Sequence, residues 1–167
     1  QGTAENSADF CRWAKGYQAK IGCFNARVKK VLNERGLDAA FDEVTVLYEY
    51  NPETTIPCHL FVHNLGVLAY EKYGERVPLS TKVGYCNEGF FHGYMEGFFT
   101  ETKNTTKARA FCDAVASRFG RAYPSAGLQC DHGIGHGTTE YILHTKPQLW
   151  QNIPEVANRA LDICKKK

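Results

Sequence analysis

The chain has 167 residues, 43% hydrophobic and 23% charged, with a formal net charge of +2. That is ordinary globular composition, long enough to bury a core as one domain. The charge is spread along the chain, so no face reads as a nucleic-acid footprint, and no apolar run reaches the length of a membrane span.

In chain order the pattern is helical throughout. Residues 1–6 read as unstructured. Asn6 or Ser7 caps a helix with Phe10, Trp13, Ala14, Tyr17 and Ile21 at helical spacing, and Gly22 is expected to interrupt it. Phe24, Val28, Val31 and Leu32 make a second helix that stops at Gly36. Asp38 caps a third, carrying Phe41, Val44, Leu47 and Tyr48, ended by Asn51 and Pro52. Thr54 or Thr55 caps a fourth, with Pro57 in its first turn, which carries His59 and His63 and ends near Gly74. Beyond Pro78, Ser80 or Thr81 is expected to cap the next helix, and residues 101–106 form a polar turn. Ala108, Phe111, Cys112, Val115 and Phe119 give another helix, ended by Gly120 and Pro124. One more occupies about 127–145 and stops at Pro147. Pro154 opens the last, with Val156, Ala160, Leu161 and Cys164. The reading is an all-α array of seven or eight helices in hairpins, within a single domain 1–167. Residues 1–50 supply N-terminal helices, 55–146 the His- and Glu-bearing ones, and 147–167 a C-terminal helix.

Seven cysteines is a high count for a cytosolic domain, and none stands in a Cys-x-x-Cys pair, which argues against a zinc ribbon or thioredoxin-like site. Their spacings suggest hairpins clipped at their ends: Cys11 with Cys23, Cys58 with Cys86, Cys112 with Cys130. This is one of about fifteen connectivities that six cysteines allow. It points to a secreted or extracytoplasmic protein; the alternative is reduced thiols inside a cell. Cys164 is left over, and its partner is expected beyond Lys167 in a longer chain.

Two stretches resemble one another at a spacing of 44 residues, in the range of helical-hairpin repeats. Cys86 is followed at +2, +6 and +10 by Glu88, His92 and Glu96. Cys130 is followed at the same offsets by His132, His136 and Glu140. A glycine follows the first two members of each set: Gly89 and Gly93, then Gly133 and Gly137. Residues four apart share one face of a helix, so each set forms a stripe. The glycines form a bare ridge roughly 100° round the helix. Interior glycines cost ~1 kcal/mol each relative to alanine, so a close approach of backbone or of a bound group is expected there. With His59 and His63, five of the six histidines lie in these segments.

A transition metal needs three or four N, O or S donors about 2 Å away, and a His pair at i and i+4 supplies two from one rigid turn. His59, His63, His92, His132 and His136 are therefore the candidate ligands, with Gly89, Gly93, Gly133 and Gly137 bordering a bound group. Glu88, Glu96 and Glu140 are candidate proton carriers, or acceptors that orient imidazoles. Imidazole in excess of carboxylate suits zinc, copper or non-haem iron. No His-Glu-x-x-His occurs, so a zincin-type protease is unsupported, and a single methionine argues against a copper(I) carrier. The bland reading of a lone histidine, packed and hydrogen-bonded, is preferred for His144. Asp113 and Asp131 read as surface or cap residues.

The functional expectation is a metal-dependent enzyme acting on a small molecule by activating water or dioxygen. The alternatives are a non-catalytic metal or haem binder, and a disulfide-clipped interaction module with a protein partner and no metal.

Overall fold

Seven α-helices and two short 3₁₀ segments carry the computed structural model, which describes residues 10, 11, 13–49 and 57–165; among these there is no strand. The helices are α1 (Tyr17–Arg35), α2 (Leu37–Glu49), α3 (Cys58–Tyr73), α4 (Gly89–Thr102), α5 (Thr105–Phe119), α6 (Ala126–Thr145) and α7 (Ile153–Lys165). Disulfides join Cys11–Cys23, Cys58–Cys86 and Cys112–Cys130, the pairing that the hairpin spacings suggest, and Cys164 is free.

Helix α4 is the axis of the array. Gly89, Phe90, Phe91, His92, Gly93, Tyr94, Met95, Phe98 and Phe99 are all buried, so it is enclosed on nearly every side. Helices α3 and α6 pack along it, α1 and α2 extend the α3 side, and α5 and α7 brace α6. One apolar cluster runs from Cys11 to Ile134, with Phe24 on Phe61 and Phe41 on Phe90. A smaller one, Ile142, Leu143 and Val156, fastens α7 to the end of α6. The partly buried Arg27–Glu43 pair, 2.9 Å apart, ties α1 to α2.

The glycines explain why α3, α4 and α6 lie so close. A Cβ at Gly93 would stand 1.8 Å from the His63 carbonyl oxygen, and one at Gly66 would stand 2.1 Å from that of Phe90. On α6, Cβ atoms at Gly133 and Gly137 would meet the carbonyls of Phe91 and Met95 at 2.6 and 2.3 Å. Positions two apart are ~200° round a helix, so α3 and α6 take opposite sides of α4. The four glycines expected to border a bound group thus face protein: Gly89 and Gly93 abut α3, and Gly133 and Gly137 abut α4.

Several boundaries differ from the sequence expectation. Gly22 does not break α1: the helix runs through it, because burial of Cys23, Phe24 and Val28 outweighs the ~1 kcal/mol cost of one glycine. Trp13, Ala14 and Lys15 precede α1 rather than forming a helix with Tyr17. Asp38 sits in the first turn of α2, and Pro57 is the residue before α3. Ser80 and Thr81 do not cap α4. Residues 81–88 form turns, and Cys86, Asn87 and Glu88 have φ of 55°, 54° and 56°. Three left-handed non-glycine residues in succession cost ~1–2 kcal/mol each. The Cys58–Cys86 disulfide holds that turn against the start of α3. Asn6, Ser7, Asn51, Pro52, Thr54, Thr55 and the last two lysines lie outside the described residues.

Two measurements test this packing. Gly93→Leu and Gly137→Leu should each lower the melting temperature steeply although leucine is the better helix former, whereas Gly135→Ala, where a Cβ meets nothing within 4 Å, should raise stability by up to ~1 kcal/mol. Thiol titration of the unfolded, unreduced protein should find one free group, Cys164.

Candidate metal centre

The histidine stripes of α3, α4 and α6 meet around His92. The residue is 7% exposed, and its ring lies between those of α3 and α6. Ring centres of His59 and His63 on α3 are 4.9 and 6.5 Å from it. Those of His132 and His136 on α6 are 4.9 and 4.2 Å away. The ligand-capable atoms of His92, His132 and His136 all lie within 4.8 Å of one another.

Hydrogen bonds assign the protons on the α3 side. His59 Nδ1 is 3.2 Å from the Cys86 carbonyl oxygen, which only accepts, so Nδ1 is the donor there. His59 Nε2 and His92 Nδ1 are 3.1 Å apart and share one proton between them as donor and acceptor. His63 Nε2 donates to Glu96 at 2.9 Å. The two nitrogens left over, His63 Nδ1 and His92 Nε2, are buried without a hydrogen-bond partner among the described residues. Buried polar atoms are nearly always paired, so both nitrogens keep bonding capacity that no described residue uses. On α6, His132 Nε2 and His136 Nε2 are 3.1 Å apart, close to the separation of two nitrogens on one tetrahedral ion.

The electrostatics disfavour a proton on His92 and on His136. Burial, and then the neighbouring imidazoles of His136, His59, His132 and His63, push His92 from its usual 6.5 down to about 3. Desolvation together with His132 and His63 lowers His136, with Glu96 opposing. Unprotonated imidazoles are the form that binds metal, so no proton has to be displaced from His92 imidazolium at neutral pH. The rings of His92, His132 and His136 are stacked, with interplanar angles of 12°, 21° and 29°. An ion in the plane of all three requires the exposed His132 and His136 rings to turn.

The carboxylates divide. Glu96 is engaged by His63. Glu88 is not on the α4 stripe: it precedes the helix in the left-handed turn, and its carboxylate accepts from the Tyr123 hydroxyl. The offset that matched it to His132 therefore fails in space, because residues 86–88 are not helical whereas Cys130 and His132 are. Glu140 is half-exposed, 4.0 Å from His144, and His144 itself is 79% exposed. A groove of about 640 Å³ between α6 and α7 is lined by Asp131, His132, His136, Thr139, Glu140 and Cys164 among others. Sequence reasoning left Asp131 and Cys164 out of the site, and only the packing of α7 on α6 brings them to it. Partial burial and the nearby Asp113 raise the Asp131 carboxyl above its usual range. Tyr123 was also missed, since nothing local links it to Glu88.

The low proton affinity of His92 has a consequence for the metal-free protein. The unfolded chain protonates this ring below pH 6.5 while the folded one does not, so stability present above pH 6.5 is lost as pH falls toward 3. Chemical denaturation between pH 6.5 and 5, above most carboxylate titration, should show this slope. His92→Leu should reduce it by up to ~1.4 kcal/mol per pH unit. An unchanged slope in His92→Leu would mean that the ring titrates normally. Compared with known protein families, curated proteins and solved structures, the chain matches none.

Proposed function

We propose that the chain is a metal-binding helical protein whose centre uses His92, His132 and His136 as ligands. The observation that carries this is the gathering of three ligand atoms within 4.8 Å around a buried, neutral imidazole. Three imidazoles suit zinc, copper(II) or non-haem iron, and three protein ligands leave a fourth position on zinc for water or substrate. His132 and His136 stand in the wall of the α6–α7 groove, so that open position faces a cavity able to admit a small molecule.

The reading extends to a metal-dependent hydrolase or oxidoreductase. A bound ion lowers the pKa of its water toward 7. Glu140 and Asp131 line the same groove and are the carboxylates placed to take or return a proton. Glu96 holds His63 by its Nε2 proton, and Glu88 is occupied by Tyr123, so neither serves as the base. A flat cofactor against the glycine ridges is not part of this reading, because helix backbones fill that space. Three disulfides fit an oxidising, extracellular compartment.

Protein purified without an affinity tag, stripped and titrated with zinc, copper(II) and iron(II), tests the centre. His92→Ala and His136→Ala should each weaken binding at least ~10-fold, while His144→Ala binds as the parent does. A parent that takes up none of these ions, or a His92→Ala that binds unchanged, rejects the proposal.

A further inference from the structure

We infer that His59 is a positioning residue for the metal centre: it is not a ligand, but accepts the Nδ1–H of His92 at its own Nε2 and so leaves His92 Nε2 as the nitrogen presented to an ion. The inference rests on the reading of His92, His132 and His136 as ligands, and assigns what holds the buried one of the three.

Direct ligation by His59 is the first alternative, and the distances oppose it. Among the described residues only His92, His132 and His136 bring ligand atoms within 4.8 Å of one another. His59 instead engages both ring nitrogens with protein. Its Nδ1 is 3.2 Å from the Cys86 carbonyl oxygen and its Nε2 is 3.1 Å from His92 Nδ1. A metal-ligating histidine almost always donates its second ring N–H to an acceptor, which fixes the tautomer and the ring orientation. For His92 that acceptor is His59.

The direction of the shared proton follows from the atoms at each end. Suppose instead that His59 donates from Nε2. A neutral His59 then turns a bare Nδ1 toward the Cys86 carbonyl, lone pair against lone pair; a cationic His59 donates to both partners. Either way His92 Nδ1 accepts, and neutral His92 carries its proton on Nε2. That atom is buried and has no hydrogen-bond partner among the described residues, so the N–H would be stranded. With His92 donating, neither ring has a stranded N–H. The one unpaired atom of the pair is the His92 Nε2 lone pair, which is the atom a metal takes.

Local structure fixes the His59 ring from three sides. Its chain neighbour Cys58 is tied to Cys86 by a disulfide. Cys86, Asn87 and Glu88 follow one another at φ of 55°, 54° and 56°, and this turn puts the Cys86 carbonyl on Nδ1. Gly89 then begins α4 without a side chain. A Cβ there would stand 2.6 Å from the His59 carbonyl oxygen and 3.1 Å from its Nδ1. Strained residues persist where the surrounding structure over-determines them, and here the bond they secure is the one to His59.

Heteronuclear NMR of isotope-labelled imidazoles, combined with zinc titration, tests this. In the metal-free parent His92 should carry its proton on Nδ1. In the zinc-loaded parent Nε2 should show the shift of a metal-bound nitrogen while Nδ1 stays protonated. His59→Leu should weaken zinc binding ~10-fold or more and lose the single His92 tautomer. His59→Gln, whose amide oxygen can stand in for Nε2, should recover most of the affinity and the Nδ1–H form. His63→Ala removes an imidazole from the same face of α3 but neither bond of His59, and should leave the His92 tautomer as in the parent. Loss of packing alone would weaken the Leu and Gln variants alike. The tautomer measurement uses the parent alone, so a variant that misfolds does not remove the test. Zinc on His92 Nδ1, a proton on Nε2 in the metal-free parent, or a His59→Leu that binds zinc as the parent does overturns the inference and leaves the three-histidine centre standing. A parent that takes up no zinc is a different result, and rejects the centre together with the role of His59.

Discussion

Backbone laid directly on backbone is the constraint from which the rest of the structure follows. The His63 carbonyl abuts the bare Cα of Gly93, the Phe90 carbonyl abuts Gly66, and the carbonyls of Phe91 and Met95 abut Gly133 and Gly137. A helix pair usually stands 8–10 Å apart, set by the side chains between them. Removing those side chains on both sides of α4 draws three helices together. The flanking histidines then have rings 4.2–6.5 Å apart around His92. Each interior glycine weakens its own helix by ~1 kcal/mol, and that loss is offset only because Phe90, Phe91, Tyr94, Met95, Phe98 and Phe99 are buried around the same axis.

Covalent and polar ties hold the one irregular segment against this axis. The left-handed turn at Cys86, Asn87 and Glu88 is unfavourable by itself. The disulfide to Cys58 closes a sequence separation of 28 residues, for which chain-entropy arguments give about 3–4 kcal/mol of stabilisation. Tyr123 holds Glu88, and the turn offers the Cys86 carbonyl to His59. Backbone strain of this kind clusters at functional sites, where surrounding structure over-determines the conformation. Here it sets the tautomer of a candidate ligand.

The same packing determines the electrostatics. Five imidazoles this close cannot share the cluster as cations, and burial of His92 makes the neutral form prevail there. Neutral rings bring lone pairs, and lone pairs without donors are costly in a dry interior. A cation resolves both conditions at once. The outer side of the cluster remains open to solvent through the α6–α7 groove.

What was legible in the sequence was local. The 3.6-residue period gave an all-α array, the cysteine spacings gave the hairpin clips, and offsets of four put His59 with His63, His132 with His136, and His92 with Glu96 on shared faces. These depend only on the geometry of one turn of helix. The bare glycine ridges announced a close approach of backbone or of a bound group, and only the packing decided that it is helix backbone. Tertiary structure alone decided that Gly22 lies inside a continuous helix, that Glu88 leaves its stripe, and that α7 makes a groove with Asp131 and Cys164 beside the histidines. It also decided which nitrogen of each ring carries a proton, because that depends on a carbonyl or carboxylate 27 to 33 positions away for His59 and His63. Such partners are chosen by how helices pack, and no local periodicity encodes that choice.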